Sequence, residues 1–159
     1  MTDHRKTDGT TATPDAVATF CAAAQTNDVD AMVDALSPDV ELPSPLFGRM
    51  IFRGTNDLRI LLGAVFGGLR GLRWQEFIGD GQIRVAVSEA RVAGLRINDA
   101  MVIELDDAGR IARIRPHLRP WLATTAFALR LGPKLALHPG VITRALGSES
   151  GLESRSYCE

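Results

Sequence analysis

Only two cysteines occur in the 159 residues, Cys21 and Cys158, far apart in the chain. Such a pair supplies neither a disulfide framework nor a metal spacing, and both are expected to be reduced. Charge of one sign is lacking too: 18 Lys and Arg against 19 Asp and Glu leave a formal net charge of −1, no field for nucleic acid or a membrane surface. No run reaches the roughly 18 apolar residues of a membrane span. The opening MTDHRKTDGTTATP has no apolar centre of the kind a secretory leader needs, so a cytoplasmic location is expected. Also missing are a Gly-rich loop after a strand and any His, Cys, Asp and Glu set at ligand spacing. No metal and no cofactor is therefore expected.

What is present is a chain 45% hydrophobic, enough for the core of one domain. Its organising stretch runs from Gln82 to Leu118 as IRVAVSEARVAG, LRINDAMVIELD and DAGRIARIRPHL. The three runs are rich in Val, Ile, Leu and Ala and alternate with a period of two. The turn signals Ala93-Gly94 and Asp107-Ala108-Gly109 separate them, so they predict a three-stranded antiparallel meander.

Residues 1–12 are polar and aperiodic and are expected to form a mobile arm; His4 within it carries no role. Thr13 as N-cap, Pro14 at the first helical position and Asp15 in the first turn predict a helix whose apolar face is Val17, Phe20, Cys21 and Ala24. Asn27-Asp28 recaps a second helix, Val29 to Leu36, which Ser37-Pro38 is expected to stop. With two prolines, the segment Asp39 to Pro45 predicts at most a short edge strand, and Met50 to Arg53 a second extended piece. Gly54-Thr55-Asn56-Asp57 caps a third helix with Leu58, Leu61, Leu62, Val65, Phe66 and Leu69 at helical intervals. Gly67-Gly68 and Gly71 end it, and Leu72 to Ile78 enters the sheet. After Trp121, Leu122 to Ala136 is helical, with Gly132-Pro133 expected to break or restart the helix, and Val141 to Leu146 is a last helical piece. The expected divisions are thus 1–12, a core domain over 13–121, a helical extension over 122–146, and a disordered tail over 147–159.

This order resembles the SnoaL-like branch of the nuclear-transport-factor-two-like superfamily, which includes polyketide cyclases, ketosteroid isomerases and limonene-epoxide hydrolases. The carriers, between Pro14 and Trp121, are the helix pattern Val17 to Asp30, D-V-E-x-x-S-P at Asp39 to Pro45, G-x-x-D-L at Gly54 to Leu58, and L-D-D-A-G-R-I at Leu105 to Ile111. L-R-P-W at Leu118 to Trp121 and H-P-G-V at His138 to Val141 look like a branch common in actinobacteria. The resemblance implies an α+β cone: a curved antiparallel sheet of six strands or slightly fewer wraps a pocket closed by the N-terminal helices, with an additional C-terminal helix. It also implies a homodimer through the outer sheet face.

The family's catalytic groups do not carry over. Alignment to the ketosteroid isomerases puts Phe20 at the tyrosine position, Ser44 at the base and Met101 at the second aspartate. Phe cannot donate a hydrogen bond, Ser is a poor base, and Met cannot hold an enolate oxygen. For the epoxide hydrolases, the nearest pocket-facing positions are Ser88, Ala90 and Pro116; a one-residue slip would turn Glu89 and Arg91 inward instead.

Two polar groups remain as catalytic candidates. Period two puts Asp99 on the face of Ile97, Met101, Ile103 and Leu105, where desolvation would raise its pKa toward the proton-transfer range; the alternative is a solvated position at the sheet rim. Ser44 would hold a polar substrate atom, or else satisfy only its own turn. The expected ligand-binding wall is Val17, Phe20, Leu62, Phe66, Ala90, Met101, Ile114 and Leu118, and the helix after Trp121 would be a lid or a filler. Arg113, Arg115, His117 and Arg119 share one parity and read as an outer face with Glu89 and Glu104 as partners. His138 is structural. The expected partner is a small hydrophobic molecule of polyketide, isoprenoid or steroid type, bound and isomerised, cyclised or hydrolysed; the alternative is a non-catalytic binding or dimerisation module.

Overall fold

The computed structural model describes residues 15–147. The expected arm, Thr13 and Pro14 of the helix start, and residues 148–159, with His4 and Cys158, lie outside them. The fold is α+β: five helices and a curved, unclosed sheet of seven strands in the order β2-β1-β6-β5-β4-β3, with β7 pairing β5. The seventh strand, one more than expected, is the two-residue β7 (Leu118–Arg119).

Asp15 is itself the N-cap of α1 (Ala16–Thr26): its carboxylate accepts the Val17 N–H at 3.1 Å, so the cap sits two residues later than Thr13. Asp28 caps α2 (Val29–Asp34) in the same way through Ala31. That helix ends before Ser37-Pro38. Both residues belong to β1 (Leu36–Pro43), an eight-residue inner strand paired antiparallel to β2 (Ile51–Arg53) and parallel to β6 (Ile111–Arg115). The expected edge strand is thus an interior one. Its prolines are tolerated because Pro38 falls in the irregular stretch between the paired residues Leu36 and Glu41, and Pro43 is the last residue of the strand. Helix α3 (Gly54–Phe66) starts without a side-chain cap, and Asp57 in its first turn serves another purpose, described below.

The long strands β3 (Arg70–Ile78), β4 (Ile83–Val92) and β5 (Leu95–Leu105) form the expected meander with β6. Ala93 and Gly94, at φ 50° and 82°, make the two-residue β4–β5 turn, in which both residues need positive φ. Register shifts in β3 and between Glu104 and Leu105 bend the sheet. Helices α1 to α3 bury Phe20, Met32, Leu58 and Leu62 in a common core with Ala86, Ile103 and Ile114 of the sheet. Trp74 of β3 ties α1 down by donating its indole N–H to the Cys21 carbonyl at 2.7 Å.

The C-terminal extension is α4 (Trp121–Ala136) and α5 (Pro139–Leu146). Pro133 does not break α4. Its missing N–H costs about 3 kcal/mol in a helix interior, but the stripe Ala123, Phe127, Leu131 and Leu135 is buried on both sides of it and carries the helix through. Arg144 of α5 then grips Asp57 with two hydrogen bonds, 3.0 Å from Nε and 2.5 Å from an Nη, so α5 is pinned to the start of α3. Among the described residues no helix is long and apolar enough to cross a membrane.

Candidate functional site

The concave face of the sheet, α3 and the C-terminal helices enclose a cavity of about 330 Å³. Its position follows from the register. Ser88 lies directly opposite Asp99, Ala90 opposite Ile97, and Ala86 opposite Met101, so even residues of β4 and odd residues of β5 share the inner face. Asp99 faces Leu118 of β7 on its other side.

Asp99 and Ser44 both line this cavity, as do Phe20, Leu62, Phe66, Ala90, Met101, Ile114 and Leu118. Val17 does not. It is 3% exposed and packs in the core, because only Phe20 of the α1 face reaches far enough inward, where its ring stands edge-on to Phe66 at 6.2 Å. Phe20, Ser44 and Met101, aligned above with the isomerase positions, all border the same space, as do Ser88, Ala90 and Pro116. The register question is resolved in favour of Ser88 and Ala90. Glu89 pairs with Arg96 on the outside at 3.5 Å, and neither Glu89 nor Arg91 borders the cavity.

Among the described residues, Asp99 is the only ionisable side chain on this wall. Its Oδ1 accepts the His117 backbone N–H at 2.8 Å. Burial pushes the carboxyl up to about 6, against the lowering effect of the His117 N–H and of the His117 charge. The N–H is free for this task through a substitution in the β5–β6 ladder. His117 lies opposite Ala100 in the register set by Val102 and Arg115 on one side and Asp99 and Leu118 on the other. The Ala100 N–H reaches the His117 carbonyl at 3.3 Å, but the Ala100 carbonyl is met by His117 Nδ1 at 3.0 Å. The imidazole takes the place of its own backbone N–H. A second carbonyl, that of Arg115, also lies 3.0 Å from Nδ1, so the ring carries its proton on that nitrogen.

Ser44 partly fulfils the local alternative. Its Oγ accepts the N–H groups of Leu46 and Phe47, each at 3.2 Å, which leaves the hydroxyl proton as its one remaining donor. Ser88 is 5% exposed and neighbours Asp99 across the ladder, with Cβ atoms about 5 Å apart in such pairs. The pairing of Ser88 with Asp99 was open to a reading of parity, since Ala90 and Met101 were already placed inward. The sequence marked His117 only as a member of the outer basic row, and its main-chain bond to Asp99 lies beyond what periodicity shows.

The rest of the wall was missed. Leu46, Phe47 and Met50 come from the β1–β2 loop, and Phe127, Leu131 and Ile142 from α4 and α5. The basic row is an outer feature, as expected, and Glu104 is one of its partners, whereas Glu89 pairs with Arg96. Glu104 binds Arg115 at 2.8 Å, whereas Arg113 looks to Glu41 at 3.9 Å. Cys21 is buried, and desolvation followed by the nearby Asp15 charge holds its thiol up at about 12, which makes it inert.

A curved sheet closed over by helices, with one carboxyl on an apolar inner wall, defines a cone-type α+β fold. Residues 17–114 match the SnoaL-like domain, and the chain belongs to that family, within the nuclear-transport-factor-two-like superfamily. No curated protein matches it. Among solved structures, it is similar to a bacterial protein of cystatin-like fold from Silicibacter pomeroyi (TM-score 0.77, 17% identity, 82% of this chain and 93% of that one). It is also similar to a steroid delta-isomerase from Pseudomonas aeruginosa (TM-score 0.70, 22% identity, 80% and 96%). A designed protein with a curved β-sheet matches as well (TM-score 0.61, 18% identity, 77% and 93%). These likenesses are of fold. The match to the family ends at residue 114, so α4 and α5 lie beyond it.

Proposed function

We propose that the protein binds a small, uncharged-bodied hydrophobic metabolite of polyketide, isoprenoid or steroid type in its cavity and moves a proton on it, with Asp99 as the acid/base group. The observation that carries this is the single carboxyl on an otherwise apolar wall, desolvated to a pKa of about 6 and held by one N–H. A group near 6 is a competent base at neutral pH and still returns its proton. Asp99 takes a proton from a carbon beside a substrate carbonyl, and the electron pair moves to the carbonyl oxygen. The Ser44 hydroxyl, with Ser88 as a neighbour of the carboxyl, donates to that oxygen. The protonated Asp99 then gives its proton back, to the same or another carbon. Isomerisation and cyclisation both pass through such a step. The apolar side chains exclude water from it.

The kinship with isomerases and cyclases of the same fold supports this reading. A second reading, a non-catalytic binder, draws on the two backbone N–H groups that already occupy the Ser44 oxygen and on Phe and Met at the isomerase positions. Homodimerisation fits the exposed Ile78 and Ile83 at one end of the outer sheet face.

Native mass spectrometry of the purified protein, followed by organic extraction, tests the ligand class. A stoichiometric apolar compound supports the proposal and names the chemistry to assay in wild type and Asp99→Asn. Turnover that persists in Asp99→Asn would refute the assigned role, and binding without turnover in wild type would favour the carrier.

A further inference from the structure

A second cleft, of about 240 Å³, opens where α4 meets the C-terminal end of α3. One side of it is a single stripe of α4, Phe127, Arg130, Leu131 and Lys134, at the spacing i, i+3, i+4 and i+7. Arg70 borders it from the start of β3, and no acidic residue lines it. Lys134 reaches the Ala64 carbonyl at 3.5 Å, where the unpaired carbonyls of the helix end concentrate negative charge. Neither Arg70 nor Arg130 forms an ion pair among the described residues.

One feature connects this cleft to a ligand. Phe127 and Leu131 line both the cleft and the apolar cavity, so the cationic site and the apolar one share a wall of two side chains. The cavity itself rejects an anion. Asp99 is its one ionisable group, and a second negative charge beside that carboxyl would be repelled in a poorly solvated space.

We propose that the cleft takes the carboxylate or phosphate head of an anionic amphiphile whose apolar body occupies the neighbouring cavity, so that the head fixes which carbon of the body faces Asp99. This rests on the proposed apolar ligand. It adds a charged end to that ligand and gives it a direction.

The test uses the full chain and three probes by calorimetry at pH 8: decanoate, 1-decanol as the uncharged chain, and acetate as the head alone. Wild type should bind decanoate about tenfold more tightly than 1-decanol, with the advantage shrinking as salt rises. In the double variant Arg130→Gln, Lys134→Gln, whose side chains are exposed, decanoate should fall to the level of 1-decanol while 1-decanol binding stays unchanged. Equal binding of the two chains by wild type overturns the proposal. So does an advantage that survives in the double variant, or acetate binding as tightly as decanoate. If neither decanoate nor 1-decanol binds wild type, the apolar-ligand reading fails first, and this inference falls with it.

Discussion

The carboxylate of Asp99 accepts a hydrogen bond from the main chain of His117, at 2.8 Å, because the His117 imidazole has taken over the carbonyl of Ala100 that this N–H would otherwise meet. The acid of the cavity is therefore oriented by a residue whose side chain lies outside it. One donor is enough to fix the carboxyl and too little to cancel its desolvation, which is why the pKa stays near 6.

Asp99→Asn should stabilise the fold at pH 8. An aspartate raised from 3.8 to about 6 is harder to ionise in the folded protein than in the unfolded chain, at a cost of about 3 kcal/mol once ionised in both. The favourable contribution of Asp99 is fully present below pH 4 and lost as pH rises through 6. The gain from Asn should thus be largest at pH 7 to 8, of the order of 1–3 kcal/mol, and vanish near pH 4. Urea denaturation of both proteins across that range measures it; a variant less stable at pH 8 would show that the carboxylate is a structural partner.

His117→Ala should free the Ala100 carbonyl, which the backbone N–H then reclaims. Asp99 loses its donor, and its pKa should move above 6, with the acid limb of any pH–rate profile moving in the same direction. Carboxyl-carbon NMR titration reads the shift. A pKa that stays or falls would contradict the substitution in the ladder.

Arg144→Ala should lower the melting temperature more than Arg59→Ala. Arg144 serves Asp57, whose side chain is 8% exposed, whereas Arg59 pairs with Asp30, at 81%. Removing the first leaves a buried carboxylate unpaired and releases α5 from α3; removing the second leaves a solvated one. Because Ile142 of α5 lines the cavity, Arg144→Ala should also speed ligand exchange, which stopped-flow displacement can measure.

Ala93 adopts φ 50° in the β4–β5 turn, a conformation that favours Gly and Asn. Ala93→Asn should raise stability by about 1 kcal/mol and leave ligand binding untouched. Thermal denaturation checks it.

The meander, its turns and the inward parity of Asp99 and Met101 were legible because strand alternation and Gly-bearing turns are local signals. Strand β1 was misjudged for the same reason: its prolines argue against an inner strand, and only the distant pairing with β6 overrides them. Likewise Pro133 is a local breaker that burial of Phe127 and Leu131 outweighs. The roles of His117 and Asp57 lie in contacts spanning 18 and 87 residues, which periodicity cannot reveal. Val17 shows the opposite limit, since an apolar helix face marks burial without saying which member reaches the cavity.

In the proposed function, Asp99 transfers a proton to and from an apolar molecule held in the cavity. Deuterium wash-in from D₂O at the α-carbons of 2-decalone, followed by NMR at pD 7.5, tests it with a simple apolar ketone. Wild type should accelerate exchange with a midpoint near pH 6, and Asp99→Asn should bind the ketone but fall to the background rate. Exchange by Asp99→Asn as fast as by wild type would contradict the account.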